Sequence, residues 1–157
     1  MNDCCNTKDQ AVGDLAAGNK SGHHASSHPC PVNGKKYASV QRKTLLHHVQ
    51  QPWKNTVTEQ AYYFCTDPDC DVVYYGQDDT VFHTDELRTT VWQKSRDKRD
   101  TICYCFGVTK ALAMLDKNIK DFVMQQTRDS LCACETSNPS GRCCLKDLPE
   151  GQSESTE

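Results

Sequence analysis

The 157-residue sequence lacks any apolar run near the roughly 18 to 20 residues that a bilayer-spanning helix needs, so membrane insertion is not expected. Its opening, MNDCCNTKDQ, has neither a basic segment nor an apolar core, and so nothing that resembles a secretory signal. Beyond the short KSRDKRD stretch near residues 94 to 100, which reads as a solvated linker, there is no Lys/Arg stripe, and a nucleic-acid partner is not expected. Large apolar content is also missing. With 36% hydrophobic residues against 25% charged, the chain has little core for one ordinary domain or two small ones, and small units of that kind need staples.

The staples are cysteines, of which there are eleven. They form either a disulfide framework or a set of metal ligands, and the compartment decides which. Without a signal or a membrane span, the expectation is a cytoplasmic protein with reduced thiols. The odd count fits metals better than complete pairing, although one leftover thiol also explains it. The formal net charge of −3 becomes more negative when thiolates bind metal.

Between residues 101 and 148 two cysteine groups flank a helical interval. Cys103-Tyr104-Cys105 in extended backbone puts two sulfurs on one face, because strand side chains repeat every second residue. Further thiols come from Cys132, Cys134, Cys143 and Cys144, with Asn138-Pro139-Ser140-Gly141 predicting a tight turn that folds the chain back. In the interval, Thr109 predicts a helix cap, Leu112, Leu115, Ile119 and Phe122 the apolar face, and Asn118 a break. From spacing alone, a 2Fe-2S cluster, a four-thiolate zinc ion and disulfides all remain open.

Upstream, Cys30 opens a CPVNG turn, and Cys65 and Cys70 flank Thr66-Asp67-Pro68-Asp69 across a hairpin between YYF and DVVYY. Two sulfurs placed so can share zinc or close a disulfide. No C-x-x-C knuckle occurs anywhere in the chain, so a zinc site here must find its fourth ligand elsewhere. The helix predicted after a Thr44 cap places Leu45, Leu46 and Val49 inward and His48 on their border, which makes His48 the leading candidate ahead of His47, His28 and water. Thr80 to His83 and Leu87 to Trp92 predict two more short strands, with Tyr62, Tyr63, Phe64, Tyr74, Tyr75 and Trp92 as core.

CYCFGVT, the helical interval and NPSGRCC, together with CPVNG, YYFCTDPDCDVVYY and VFHTDELRTTV upstream, resemble the N-terminal domains of CopZ copper chaperones over about residues 30 to 148. The cluster-binding half of those domains is itself similar to bacterioferritin-associated ferredoxin domains. The resemblance implies 2Fe-2S ligands at Cys103, Cys105, Cys134 and Cys144, with Cys143 the close alternative, and zinc ligands at Cys30, Cys65, Cys70 and His48. It further implies one-electron transfer that reduces Cu(II) to Cu(I), with copper as substrate, a copper chaperone or copper-exporting ATPase as partner and an unnamed electron donor. Resembling proteins can carry a cysteine where this chain has Asn33.

The expected architecture is therefore α+β. A flexible tail over residues 1 to 29 carries Cys4, Cys5, His23, His24 and His28, either incidentally or as a copper-collecting arm. A small zinc-stabilised hairpin and sheet subdomain follows over 30 to 100, then a small helical 2Fe-2S subdomain over 101 to 148 and an acidic tail over 149 to 157. The alternatives are a general ferredoxin-like carrier and a structural metal-binding interaction module in which no electron moves; an electron-transfer or metal-binding role is expected ahead of a dedicated enzyme.

Overall fold

A computed structural model describes residues 25–150. Cys4, Cys5, His23 and His24, and with them most of the expected copper-collecting arm, lie outside the described residues. The described chain runs β1 (Ser27–Pro29), β2 (Lys36–Val40), α1 (Arg42–His48), β3 (Tyr62–Phe64), β4 (Val72–Gly76), β5 (Val81–His83), β6 (Thr101–Cys103), β7 (Val108–Thr109), α2 (Lys110–Leu115), α3 (Asn118–Arg128) and α4 (Cys134–Ser137), with short 3-10 turns between. It is a mixed α+β fold. β1 to β5 form one antiparallel sheet in sequence order, and β6 pairs with β7. The sheet begins inside the stretch expected to be flexible, because Ser27 to Pro29 pair with Lys36 to Ala38 and the Tyr63 hydroxyl donates to the Ala25 carbonyl at 3.0 Å.

Both faces of the central strands are covered. In β3, Tyr62 and Phe64 point to a core shared with Leu45, Val49 and Phe82, while Tyr63 between them points to the side that holds Cys30, Cys65 and Cys70. Alternation is what a strand dictates. In β4 a bulge between Val72 and Tyr74 shifts the register, so neighbours Val73 and Tyr74 both enter the first core while Val72 and Tyr75 line the cysteine side.

Two local expectations change. Thr44 does not cap α1; it is fully buried inside the helix and its hydroxyl donates to the Glu135 carbonyl at 2.6 Å. Leu87 to Trp92 is not a strand, since its backbone is used by the chain after α1. Gln50 N–H donates to Glu86 O at 2.7 Å, Arg88 N–H to His48 O at 2.9 Å, and Leu87 makes only a single bridge to Val49.

The separate helical subdomain expected over 101 to 148 is also corrected. Thr109 does cap α2, accepting from Leu112 N–H at 3.2 Å, and the helical interval does break before Asn118. Yet its inward residues are Ala113 and Val123, whereas Leu112, Leu115 and Phe122 are exposed. Ala113 and Val123 pack with Ile102, Cys103, Val108, Cys144 and Leu148 in a small core of the C-terminal half, and this half is fastened to the sheet half by polar bonds. Tyr74, buried in the sheet, donates its hydroxyl to Pro139 O; α1 packs on α4; the Tyr104 hydroxyl donates to Thr90 O at 2.6 Å; and Lys110 Nζ donates to Ser95 O at 2.9 Å.

Candidate metal centre

Three cysteines converge. The sulfurs of Cys30, Cys65 and Cys70 all lie within 4.8 Å of one another and all three residues are buried. The local backbone explains the convergence. Gly34, at φ +73°, closes the turn after Cys30 with its N–H on the Cys30 carbonyl at 2.9 Å, and Asn33 Oδ1 accepts from Lys35 N–H at 2.9 Å. Glycine suits the left-handed conformation that this turn requires. Cys65 and Cys70 stand at either end of the β3–β4 loop, where Asp67 accepts from Cys70 N–H through its carbonyl and from Asp69 N–H through its side chain. Both are free thiols, so the hairpin disulfide is not formed.

Donors gather on one sulfur. Cys65 Sγ receives Lys94 Nζ at 3.3 Å and Asn33 Nδ2 at 3.6 Å, and Asp67 N–H and the Tyr37 hydroxyl also point to it. Burial pushes the Cys65 thiol up, but these donors and the Lys94 charge outweigh it and hold the thiol below its ordinary value. Cys70 accepts from the Val72 backbone N–H, but burial first, together with the neighbouring Cys65 and Cys30, pushes its thiol up to about 11. Tyr37 is raised to about 12, first by burial.

The donor set fits a single thiophilic ion. A tetrahedral zinc with bonds of about 2.3 Å spaces its sulfurs by about 3.8 Å, so thiols already within 4.8 Å need little movement. The structure does not bring His48 to this group. Its Nδ1 lies 2.7 Å from Thr89 Oγ1 and its Nε2 2.8 Å from Thr136 O, so both ring nitrogens are engaged where α1 meets the C-terminal half. His28 stacks on Tyr63 at 5.1 Å between ring centroids.

Five further cysteines of the described residues gather around the NPSG turn. Cys105 and Cys134 sulfurs approach to 3.5 Å, Ala133 N–H donates to Cys105 Sγ at 3.1 Å, and Cys103, Cys143 and Cys144 join through thiol hydrogen bonds. The bond from Cys134 holds the Cys105 thiol down at about 6 and pushes Cys134 up as its protonated partner, while Cys144, bonded to Cys103, is pushed up in the same way and Cys103 is held down. The turn forms as expected, with Gly141 N–H on Asn138 O at 2.8 Å and Asn138 Oδ1 accepting from Ser140 N–H at 3.0 Å.

These thiols are joined in a hydrogen-bonded network, and among the described residues the group whose ligand atoms all lie within 4.8 Å of one another is Cys30, Cys65 and Cys70. Three convergent thiols suit one zinc or copper ion. The expected 2Fe-2S cofactor on Cys103, Cys105, Cys134 and Cys144 or Cys143 is corrected on that ground, and with it the iron-sulfur electron transfer that was to reduce Cu(II).

Residues 27–88 match the family model described as a CopZ zinc binding domain. The copper chaperone CopZ of Archaeoglobus fulgidus is 37% identical over 118 residues, which are 73% of this chain and 57% of that protein. The chain thus spans a little over half the length of that curated relative. The X-ray structure of the N-terminal domain of Archaeoglobus fulgidus CopZ superposes with a TM-score of 0.64 at 31% identity, covering 77% of this chain and 95% of that one.

Proposed function

Because the chain belongs to the family of CopZ N-terminal metal-binding domains, we propose that it is a metal-binding module of copper handling that holds one zinc or copper ion on Cys30, Cys65 and Cys70. The observation that carries this reading is the convergence of three buried sulfurs within 4.8 Å. When bound, zinc supplies no redox chemistry, and its ligation contributes folding energy directly. The protein side of that role is to present Cys65 with its charge balanced and to bury all three sulfurs between β3, β4 and the Gly34 turn.

The likeness to a copper chaperone supports metal binding or transfer ahead of a dedicated enzyme, and a copper-handling protein such as a copper-exporting ATPase as partner. Thiolate ligation needs reduced cysteines, which a cytoplasmic location supplies.

Metal analysis of purified full-length protein tests the reading. The expected content is about one zinc or copper per chain, lost in Cys65→Ser. Two irons with two sulfides, or metal content untouched by Cys65→Ser, would overturn it.

A further inference from the structure

The metal loop carries one cation that the rest of the site does not neutralise. Lys94 ends the 3-10 turn Trp92–Lys94, beyond residues 27–88 of the matched zinc binding domain and in the stretch expected to be a solvated linker. Its ammonium has three N–H donors, and three acceptors of the loop take them: Asp67 O at 2.6 Å, Cys70 O at 2.9 Å and Cys65 Sγ at 3.3 Å. The other charges nearby cancel in pairs. Asp67 is bound by Lys35 at 2.8 Å, and Asp69 lies 3.7 Å from Arg96. Asn33, where a fourth cysteine would add negative charge, contributes a neutral N–H instead.

Three thiolates and a divalent ion leave one negative charge, and a monovalent ion leaves two. Buried charge without compensation is costly. We infer that Lys94 is a specificity-determining residue of this site: by hydrogen bonding the Cys65 thiolate from outside the ligand set, it brings the divalent complex to neutrality and leaves the Cu(I) complex charged, so the site selects Zn(II) over Cu(I). The inference rests on the single-ion reading of Cys30, Cys65 and Cys70. A lysine N–H on a ligating sulfur also withdraws electron density from it, so removing the donor moves the sulfur-to-metal charge-transfer band of a bound Co(II) to lower energy.

The test uses the full chain with Co(II) as a spectroscopic probe, displaced in turn by Zn(II) and by chelator-buffered Cu(I). All other thiols are the same in the compared proteins, so differences report on Lys94. Lys94→Met is expected to lower Zn(II) affinity by roughly 10-fold or more, as outer-sphere partners of metal ligands typically do. It should leave Cu(I) affinity equal or higher and shift the Co(II) band to lower energy. Lys94→Arg keeps the charge and is expected to retain the preference for Zn(II). Equal Zn(II) to Cu(I) preference in wild type and Lys94→Met, or a preference lost in Lys94→Arg as fully as in Lys94→Met, would overturn the inference while leaving the metal site standing. A wild-type protein that binds no Co(II) through sulfur would overturn the single-ion reading beneath it.

Discussion

His48 of α1 reaches the backbone of α4, its Nε2 lying 2.8 Å from the Thr136 carbonyl oxygen, while its Nδ1 faces the Thr89 hydroxyl at 2.7 Å. The carbonyl needs a donor, so Nε2 carries the proton and Nδ1 accepts from the threonine. The ring is therefore neutral, and burial, the largest cause, lowers its pKa to about 4. The unfolded chain takes up a proton near pH 6.5 that the folded one refuses. Stability from this group is complete above that pH and is lost as pH falls toward 4, by on the order of 3 kcal/mol. His48→Gln should flatten that part of the wild-type curve of unfolding free energy against pH. Identical slopes in the two proteins would show that His48 does not titrate in this way.

The polar bonds between the halves imply one cooperative unit. Tyr74→Phe removes the hydroxyl that Pro139 O accepts and leaves that carbonyl buried without it, at a cost of about 1–3 kcal/mol. Thr44→Val does the same to Glu135 O. In each variant, thermal unfolding followed by near-UV and far-UV signals should shift as a single transition. Two separated transitions would restore the independent helical subdomain that the fold does not show.

Gly141 is the other contact at this seam. It sits at φ +68°, and an added Cβ would meet Thr44 Oγ1 at 3.2 Å and Val40 Cγ2 at 3.4 Å, inside a fully formed turn. Gly141→Ala should lower stability by about 1–2 kcal/mol from the left-handed conformation alone. Denaturant midpoints compare it directly with Gly107→Ala, which has the same φ but open space around it and should cost less.

Local structure was legible in the sequence wherever a few neighbouring residues decide it. The Thr109 cap, the break before Asn118, the Asn138 to Gly141 turn and the hairpin that carries Cys65 and Cys70 each depend on short-range hydrogen bonds. What the sequence concealed depends on partners far along the chain. Thr44 looks like a cap but serves Glu135, 91 positions away, and His48 looks like a ligand but serves Thr136, 88 positions away. Lys94 looks like part of a linker because its acceptors are backbone carbonyls and a sulfur of a distant loop. Cysteine spacing in CYC and RCC likewise announces thiols near one another, but whether sulfurs converge on an ion or pair by hydrogen bonds depends on side-chain geometry that spacing does not carry.

The two ligands of the hairpin should differ in how their loss is felt. Cys65 carries the donors that favour its thiolate, whereas Cys70 is held up at about 11. Cys65→Ala removes the sulfur that Lys94, Asn33 and Tyr37 address and leaves a half-buried ammonium short of one acceptor, so the metal-free protein should also lose stability, by about 1 kcal/mol. Cys70→Ala should destabilise the metal-free protein less while abolishing metal binding equally. Chelator-treated samples compared by denaturant unfolding decide the point, and equal losses would contradict it.

Zinc K-edge X-ray absorption on full-length protein loaded with one equivalent of zinc tests the three-thiolate site most directly. The expected shell contains three sulfurs at about 2.3 Å and one lighter ligand, and Cys30→Ser should reduce the sulfur count by one or release the metal. A shell of four sulfurs that Cys30→Ser leaves unchanged would place the ion on other cysteines and contradict the assignment of Cys30, Cys65 and Cys70.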